Sequence, residues 1–208
     1  GFTSWAKLKA FVEASSTSRE EAARRLVHLM RADVPAAAKR RTIDNLLTLC
    51  TDLDSFDLGL ACTLGNLEYV QSELNRNPKI VNERTGFGDC EPLLYCTFSW
   101  FLRHDESRKQ RIRQVVDLLL ASGADPNAGV GTGDGRLSAL YRAAGIANDL
   151  ETARMLLEAG ANPNDGESCY HVVEHPGHEI LELMFAKNVD EAHKSHAIFR
   201  KLDFDDLE

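Results

Sequence analysis

The side chains best suited to chemistry crowd into one stretch, "CYHVVEHPGH", which carries Cys169, His171, His175 and His178. His171 and His175 are four residues apart, so on a helix they share a face and can pinch a metal ion. A thiolate with neutral imidazoles suits zinc. On that reading the chain is a metal-binding or enzyme-associated regulatory protein that uses this cluster. The competing reading is structural, because Pro176-Gly177 places His178 beyond a helix break. A second candidate is the Gly-rich "GVGTGDG" at Gly129–Gly135. A phosphate-cradling loop needs a strand before it and a Gly-Lys-Ser/Thr helix start after it, and neither is written here. That favours a flexible loop tip. No local signature joins a nucleophile to a base. The expectation is therefore a non-catalytic protein with no cofactor.

The elements that carry these residues are written more than once. "LLLASGADPN" closes at Asn127 and "MLLEAGANPN" closes at Asn164. Each reads as the end of an amphipathic helix, a Gly stop (Gly123, Gly160) and a Pro that blocks restart (Pro126, Pro163). Upstream of the second copy lie a short helix, a polar break at Asn148-Asp149 and a second helix with Leu150, Ala153, Leu156 and Leu157 at helical period. The same unit recurs in "FDLGLACTLGNLEYVQSELNRNPKIVN", which closes at Asn82. It recurs again in "EPLLYCTFSWFLRHDESRKQRIRQVVDLLLASGADPN" and in "ESCYHVVEHPGHEILELMFAKNVD". A partial copy begins at "SHAIFRKLDFDDLE". Tyr95, Tyr141, Tyr170 and Phe199 share one register position. In that register His171 falls with Arg142 and Arg200 on the polar side, and Cys169 falls with Leu140 and Ile198 in the core. Leu119, Leu156 and Leu157 are expected to be buried, and Ala197–Leu202 to be helical. The chain ends where copy three continues into "TARMLLEAG", so the expectation is a chain that runs further or a lone closing helix.

This repeated unit resembles the ankyrin repeat. "SALYRAAG" matches that family's opening with Ser138 for Thr and Tyr141 for His, "GNLE" at Gly65–Glu68 matches its break, and "LLLASGADPN" matches its close. The usual His is replaced by an aromatic or by Gly59. The stretch "EPLLYCTFSWFLRHD" also looks like one in uncharacterised bacterial ankyrin proteins. The resemblance implies an all-α ankyrin-repeat solenoid with short β-hairpin fingers, of about four repeats (53–82, 83–127, 128–164, 165–194) plus a partial fifth (195–208). Residues 1–52 fit no repeat but are helical in pattern. Trp5, Leu8, Phe11 and Val12 share a face, Ser18 with Glu21 forms a capping box, and Pro35 opens a third helix. A repeat stack needs its first apolar face hidden, so 1–52 reads as an N-terminal cap.

Composition narrows the partners. The 208 residues carry 24 Lys+Arg against 32 Asp+Glu, a net charge of -8. An acidic chain argues against nonspecific binding to nucleic acid or to anionic membrane. The five cysteines, Cys50, Cys62, Cys90, Cys96 and Cys169, are odd in number and form no CxxC pair. That argues for a reducing compartment, and a cytoplasmic monomer is expected. The cluster Arg103, Arg108, Lys109, Arg111 and Arg113 reads as a solvated helix start diluted by Asp105 and Glu106.

The family resemblance implies a groove, made from first-helix ends and finger tips, that binds another protein. Counting from the aligned aromatics, its floor pairs are Thr63-Leu64, Ser99-Trp100, Gly145-Ile146, Glu174-His175 and Asp203-Phe204. The candidate contact residues are therefore Leu64, Trp100, Ile146, His175 and Phe204, flanked by the finger residues Arg84, Phe87, Asp89, Asp134, Arg136 and Glu167. The alternative is that Trp100 and Phe204 fold onto the inserted segment or the cap as core.

Overall fold

The protein is described here from a computed structural model, which covers residues 18–31, 36–132 and 136–204, with the side chain of Phe204 excepted. The expectations for Trp5, Leu8, Phe11, Val12, Pro35, Asp134 and Asp205–Glu208 lie outside the described residues.

The architecture is predominantly helical. Helix α1 (Arg19–Arg31) begins where Ser18 Oγ accepts the Glu21 N–H at 3.1 Å, half of the expected capping box. It buries Ala22, Ala23, Leu26, Val27 and Met30 along one face. Helix α2 (Ala36–Leu49) packs back on it and buries Ile43 and Leu46. Helix α3 (Leu58–Leu64) is buried along its whole length, and α4 (Leu67–Arg76) follows it. Next come α5 (Pro92–Thr97), the short α6 (Phe101–His104) and the long α7 (Glu106–Ala121). A two-residue hairpin, β1 (Gly129–Val130) against β2 (Leu137–Ser138), leads into a π-helical segment at Tyr141–Ile146. Helices α8 (Leu150–Glu158), α9 (Ser168–Val172), α10 (Glu179–Phe185) and α11 (Glu191–Phe204) complete the chain.

These helices pack in chain order. Helix α3 touches α4, α5 and α7; α7 touches α8; the π-helical segment touches α8 and α9; and α9 touches α10 and α11. The starts of the second helices are fixed by side-chain caps. Asn66 accepts from the Tyr69 N–H at 3.1 Å, Asp105 from Arg108 at 3.0 Å and Asp149 from Thr152 at 2.8 Å. Asp149 is fully enclosed and also takes both arms of Arg113, at 2.7 and 3.2 Å, so one carboxylate ties α7 to the start of α8. The helix ends use the left-handed conformation, with Gly123 at φ 90° and Gly160 at φ 100°. Asn188, at φ 64°, takes the same role after α10, where no glycine is written. Leu119, Leu156 and Leu157 are buried, and Ala197–Leu202 is helical, as expected.

Three details depart from the sequence reading. First, α1 does not lie only against the start of the repeats. Arg19 covers the Phe56 ring, Arg24 covers Phe87 at 4.4 Å and Arg31 covers Phe98 at 5.6 Å, while Met30 Sδ receives the Trp100 N–H at 3.3 Å. The helix therefore runs across two successive segments. Second, hairpin pairing is sparse. Besides β1–β2 there is a single bridge, Thr85–Cys90, among the described residues. Third, Phe199 is 67% exposed although its register partner Tyr95 is buried, because no further helix pair lies against α11 among the described residues.

Candidate functional site

Two ladders of side chain-to-backbone bonds link successive segments. On one side, Asn82 Nδ2 donates to Gly123 O at 2.9 Å and its Oδ1 accepts from Asp125 N at 2.8 Å. Asn127 does the same to Gly160 and Asn162, at 3.2 and 2.7 Å, and Asn164 to Asn188 and Asp190, at 3.2 and 2.9 Å. On the other side, Ser99 Oγ donates to Thr63 O at 2.8 Å, and His175 Nε2 sits 2.6 Å from Gly145 O. Sequence reasoning had used the closing Asn only to set the register. Its repeated place at the close of the unit, just after the Gly stop in two of the copies, was the available signal for the first ladder.

The expected groove residues divide. Leu64 is a correction: it is 2% exposed and packed in the core, because α3 is covered on all sides and leaves no outward position. Trp100 and Ile146 do come together. Both line a cavity of about 470 Å³ together with Met30, Lys39, Thr97, Arg103 and other residues from α1, α2 and α6. Trp100 is half-buried, stacked on His104 at 4.5 Å and edge-on to Phe101. His175 is half-buried, with its ring held by the Gly145 carbonyl. Its neighbour Glu174 binds Arg200 at 2.6 Å and His171 at 3.0 Å. Phe204 falls where no side chain is described.

The finger residues bind within the chain. Arg84 Nε donates to Asp89 O at 2.8 Å, and the two side chains form an ion pair at 3.3 Å that closes the turn. Phe87 is stacked on Phe56 at 5.9 Å beneath Arg24, so α1 covers it. Arg136 donates to Asn127 O at 2.5 Å. Glu167 pairs with His171 at 3.2 Å. In the finger after α4, Tyr95 Oη donates to Thr85 O at 2.6 Å and accepts from Gly88 N at 2.7 Å. A phenol thus ties this turn to α5.

The Cys169/His171/His175/His178 cluster is not assembled, which corrects the metal-site alternative. Cys169 is buried with Sγ toward Pro163 O at 3.6 Å, and burial pushes its thiol up to about 12. His171 is held between Glu167 and Glu174, His175 by a carbonyl, and His178 is exposed at the start of α10. Among the described residues no group of three or more His, Cys, Asp or Glu is placed to hold a metal. Burial also pushes the Cys90 thiol up to about 11 and raises Cys62 well above its usual value, so neither is poised as a thiolate. The basic cluster disperses as well: Arg113 goes to Asp149, Lys109 to Glu106 and Arg108 to Leu64 O, and only Arg103 reaches the cavity.

The sequence model described as Ankyrin repeat matches residues 136–168. That segment holds β2, the π-helical segment, α8 and the Gly160 stop, so it spans one helix–turn–helix unit with its close. Ankyrin repeats are generally protein–protein interaction modules without catalysis of their own. No curated protein and no solved structure matches the chain, so the likeness of the stretch 91–105 to bacterial ankyrin proteins finds no counterpart. Among the described residues no helix is long and apolar enough to cross a membrane.

Proposed function

We propose that the chain is a non-catalytic protein-binding module. It is built as a stack of about four ankyrin-type units over 53–194 with a partial fifth over 195–208, and it engages another protein through the groove-side line Trp100, Ile146 and His175. The observation that carries this reading is the Asn ladder. The match covers one unit, but the Asn82, Asn127 and Asn164 bonds repeat the same junction three times, always onto a left-handed residue that closes a second helix. Such nearest-neighbour repetition is the signature of a stack whose function is its surface. The shared cavity of Trp100 and Ile146 and the His175–Gly145 contact support one continuous line along that surface. Over the first two units α1 and α2 lie beside the line and leave Trp100 half-buried, so its open part is centred near Ile146. The reading includes a cytoplasmic monomer that needs no cofactor.

A photo-crosslinking amino acid at Ile146 or His175, against one at the exposed Glu158 at the end of α8, tests it in the native host. Partner crosslinks concentrated at 146 and 175 support the groove. Equal crosslinking at 158, or none at 146, removes it.

A further inference from the structure

The cavity beneath Trp100 has an unusual charge inventory. Its lining brings Arg31, Lys39, Arg103, His104 and Arg142 together, with the hydroxyls of Thr97 and Ser99, and no described carboxylate reaches it. The chain as a whole is acidic, with 32 Asp+Glu against 24 Lys+Arg. Elsewhere several of its arginines are paired with carboxylates: Arg19 with Asp52, Arg24 with Glu20, Arg40 with Asp44, Arg113 with Asp149 and Arg200 with Glu174. At the cavity they are not. Arg142 stacks on Phe98 at 4.4 Å, and its buried Nε has no hydrogen-bond partner. Arg31 lies over the same ring at 5.6 Å, and its only side-chain hydrogen bond among the described residues goes to the soft Cys90 Sγ.

Burying a guanidinium without a counter-charge is costly, and a native structure that does so calls for an explanation. Neighbouring groups register the same positive field. Burial lowers the Arg142 guanidinium from its usual value, and Arg31 adds to that. Burial first, then the charges of Arg103 and Lys39, hold the His104 ring below 6.5. Guanidiniums favour oxyanions because their planar N–H forks match phosphate and carboxylate oxygens two at a time. A cavity of about 470 Å³ is the size of a small-molecule site.

We propose that this cavity is a binding site for a small multivalent oxyanion, a phosphorylated or polycarboxylate metabolite, gripped by Arg31, Arg103 and Arg142 between the α1–α2 hairpin and the ends of α5 and the π-helical segment. The site shares Trp100 and Ile146 with the groove line proposed above, but its ligand is held by the arginines. A ligand there neutralises the repulsion and bonds α1 to two successive segments, so occupancy fastens the N-terminal hairpin down.

The full chain is titrated calorimetrically at low ionic strength with pyrophosphate and, separately, with citrate, and the His104 ring is followed by NMR. Saturable binding of one or both anions is expected, with the tighter one naming the phosphate or the carboxylate source. His104 should titrate at higher pH once the anion is bound. Arg142→Gln should weaken binding by about tenfold or more, as loss of a charged hydrogen-bond pair does. Arg103→Gln, on the exposed rim, should weaken it by roughly threefold or more and guards against misfolding of the first variant. The exposed Arg25→Gln and Arg41→Gln should bind as the parent does. No saturable binding of either anion, an unmoved His104, or equal losses in the Arg25 and Arg41 variants would overturn the site.

Discussion

Asn127 holds Gly160 of the following segment: its Nδ2 donates to the Gly160 carbonyl at 3.2 Å while its Oδ1 accepts the Asn162 N–H at 2.7 Å. Gly160 is at φ 100°, which turns its own N–H and that of Ala161 back onto Leu157 O and Leu156 O and leaves the Gly160 carbonyl and the Asn162 N–H for Asn127. The Asn amide is suited to this because one end donates and the other accepts.

Asn127→Ala removes both bonds. At about 0.5–1.5 kcal/mol net for each, the expected loss is about 1–3 kcal/mol in urea melts. Asn127→Asp keeps the acceptor and loses the donor, so its loss should be intermediate, unless the new charge facing Gly160 O adds to it. An alanine variant with the parent's midpoint would mean that the ladder merely accompanies packing.

Gly59 and Tyr95 are coupled by contact. A Cβ added at Gly59 would lie 2.6 Å from the Tyr95 ring, which is held in place by its bonds to Thr85 and Gly88. The glycine therefore makes room for the phenol of the next segment. Gly59→Ala should cost about 1–3 kcal/mol, as overpacking does. Its cost should shrink in a Tyr95→Leu background, where the ring is absent. Equal costs in the two backgrounds would show that backbone effects alone are at work.

Much of the helix order was written in the sequence because Gly123, Gly160 and the Leu runs mark helix ends by local chemistry alone. Leu156 and Leu119 sit on faces that a helical period predicts. Leu64 was misplaced because register counting gives a position along a helix but not what covers it, and α3 is enclosed on all sides. Phe87 was legible as special but not as covered, and cover of Trp100 by the cap was only one of two readings, since their contacts to Arg24 and Met30 join residues far apart in sequence. The His cluster looked like chemistry because spacing was visible, whereas the carbonyl that captures His175 and the carboxylates that hold His171 were not. Arg142 and Arg31 could not be paired from sequence for the same reason.

Acid should act in two separable steps. Burial pulls the Glu174 carboxyl upward, but hydrogen bonds from Arg200 and His171 outweigh it and hold the group below its usual 4.5. A folded-state value below the unfolded one gives stability that is present above about 4.5 and lost as pH falls through the folded value. His104 is also lowered, from 6.5, by burial and then by Arg103 and Lys39. The unfolded chain takes up that proton first, so stability drops as pH falls through the window just below 6.5 and the slope ends below the folded value. Thermal melts from roughly pH 7 to pH 3 should show both. Glu174→Gln should flatten the lower step and His104→Gln the upper. A Glu174→Gln protein that keeps the parent's acid slope would remove the Arg200–Glu174 bond as its source.

Trp100 joins the N-terminal hairpin to the rest of the chain. Its ring stacks on His104 and meets Phe101, and Arg40 lies over it at 5.8 Å, while its backbone N–H, which alanine would keep, reaches Met30 Sδ. Helix α1 gains further hold from Arg24 on Phe87 and Arg31 on Phe98, contacts worth about 0.5–1 kcal/mol each at partly exposed sites. Trp100→Ala should therefore cost more than a surface change but less than a fully buried Trp truncation, about 2 kcal/mol. The loss should be concentrated where the ring is anchored. Hydrogen exchange is expected to speed up across Arg19–Arg31 and Ala36–Leu49 while α8 and α9 keep their protection, because the Asn ladder and the Asp149 pair that hold those helices do not pass through Trp100. Uniform loss of protection would make Trp100 part of a single cooperative core. Unchanged exchange in α1 would show that the hairpin is held by its own buried face, Ala22, Ala23, Leu26 and Val27, and leave Trp100 free to meet a partner.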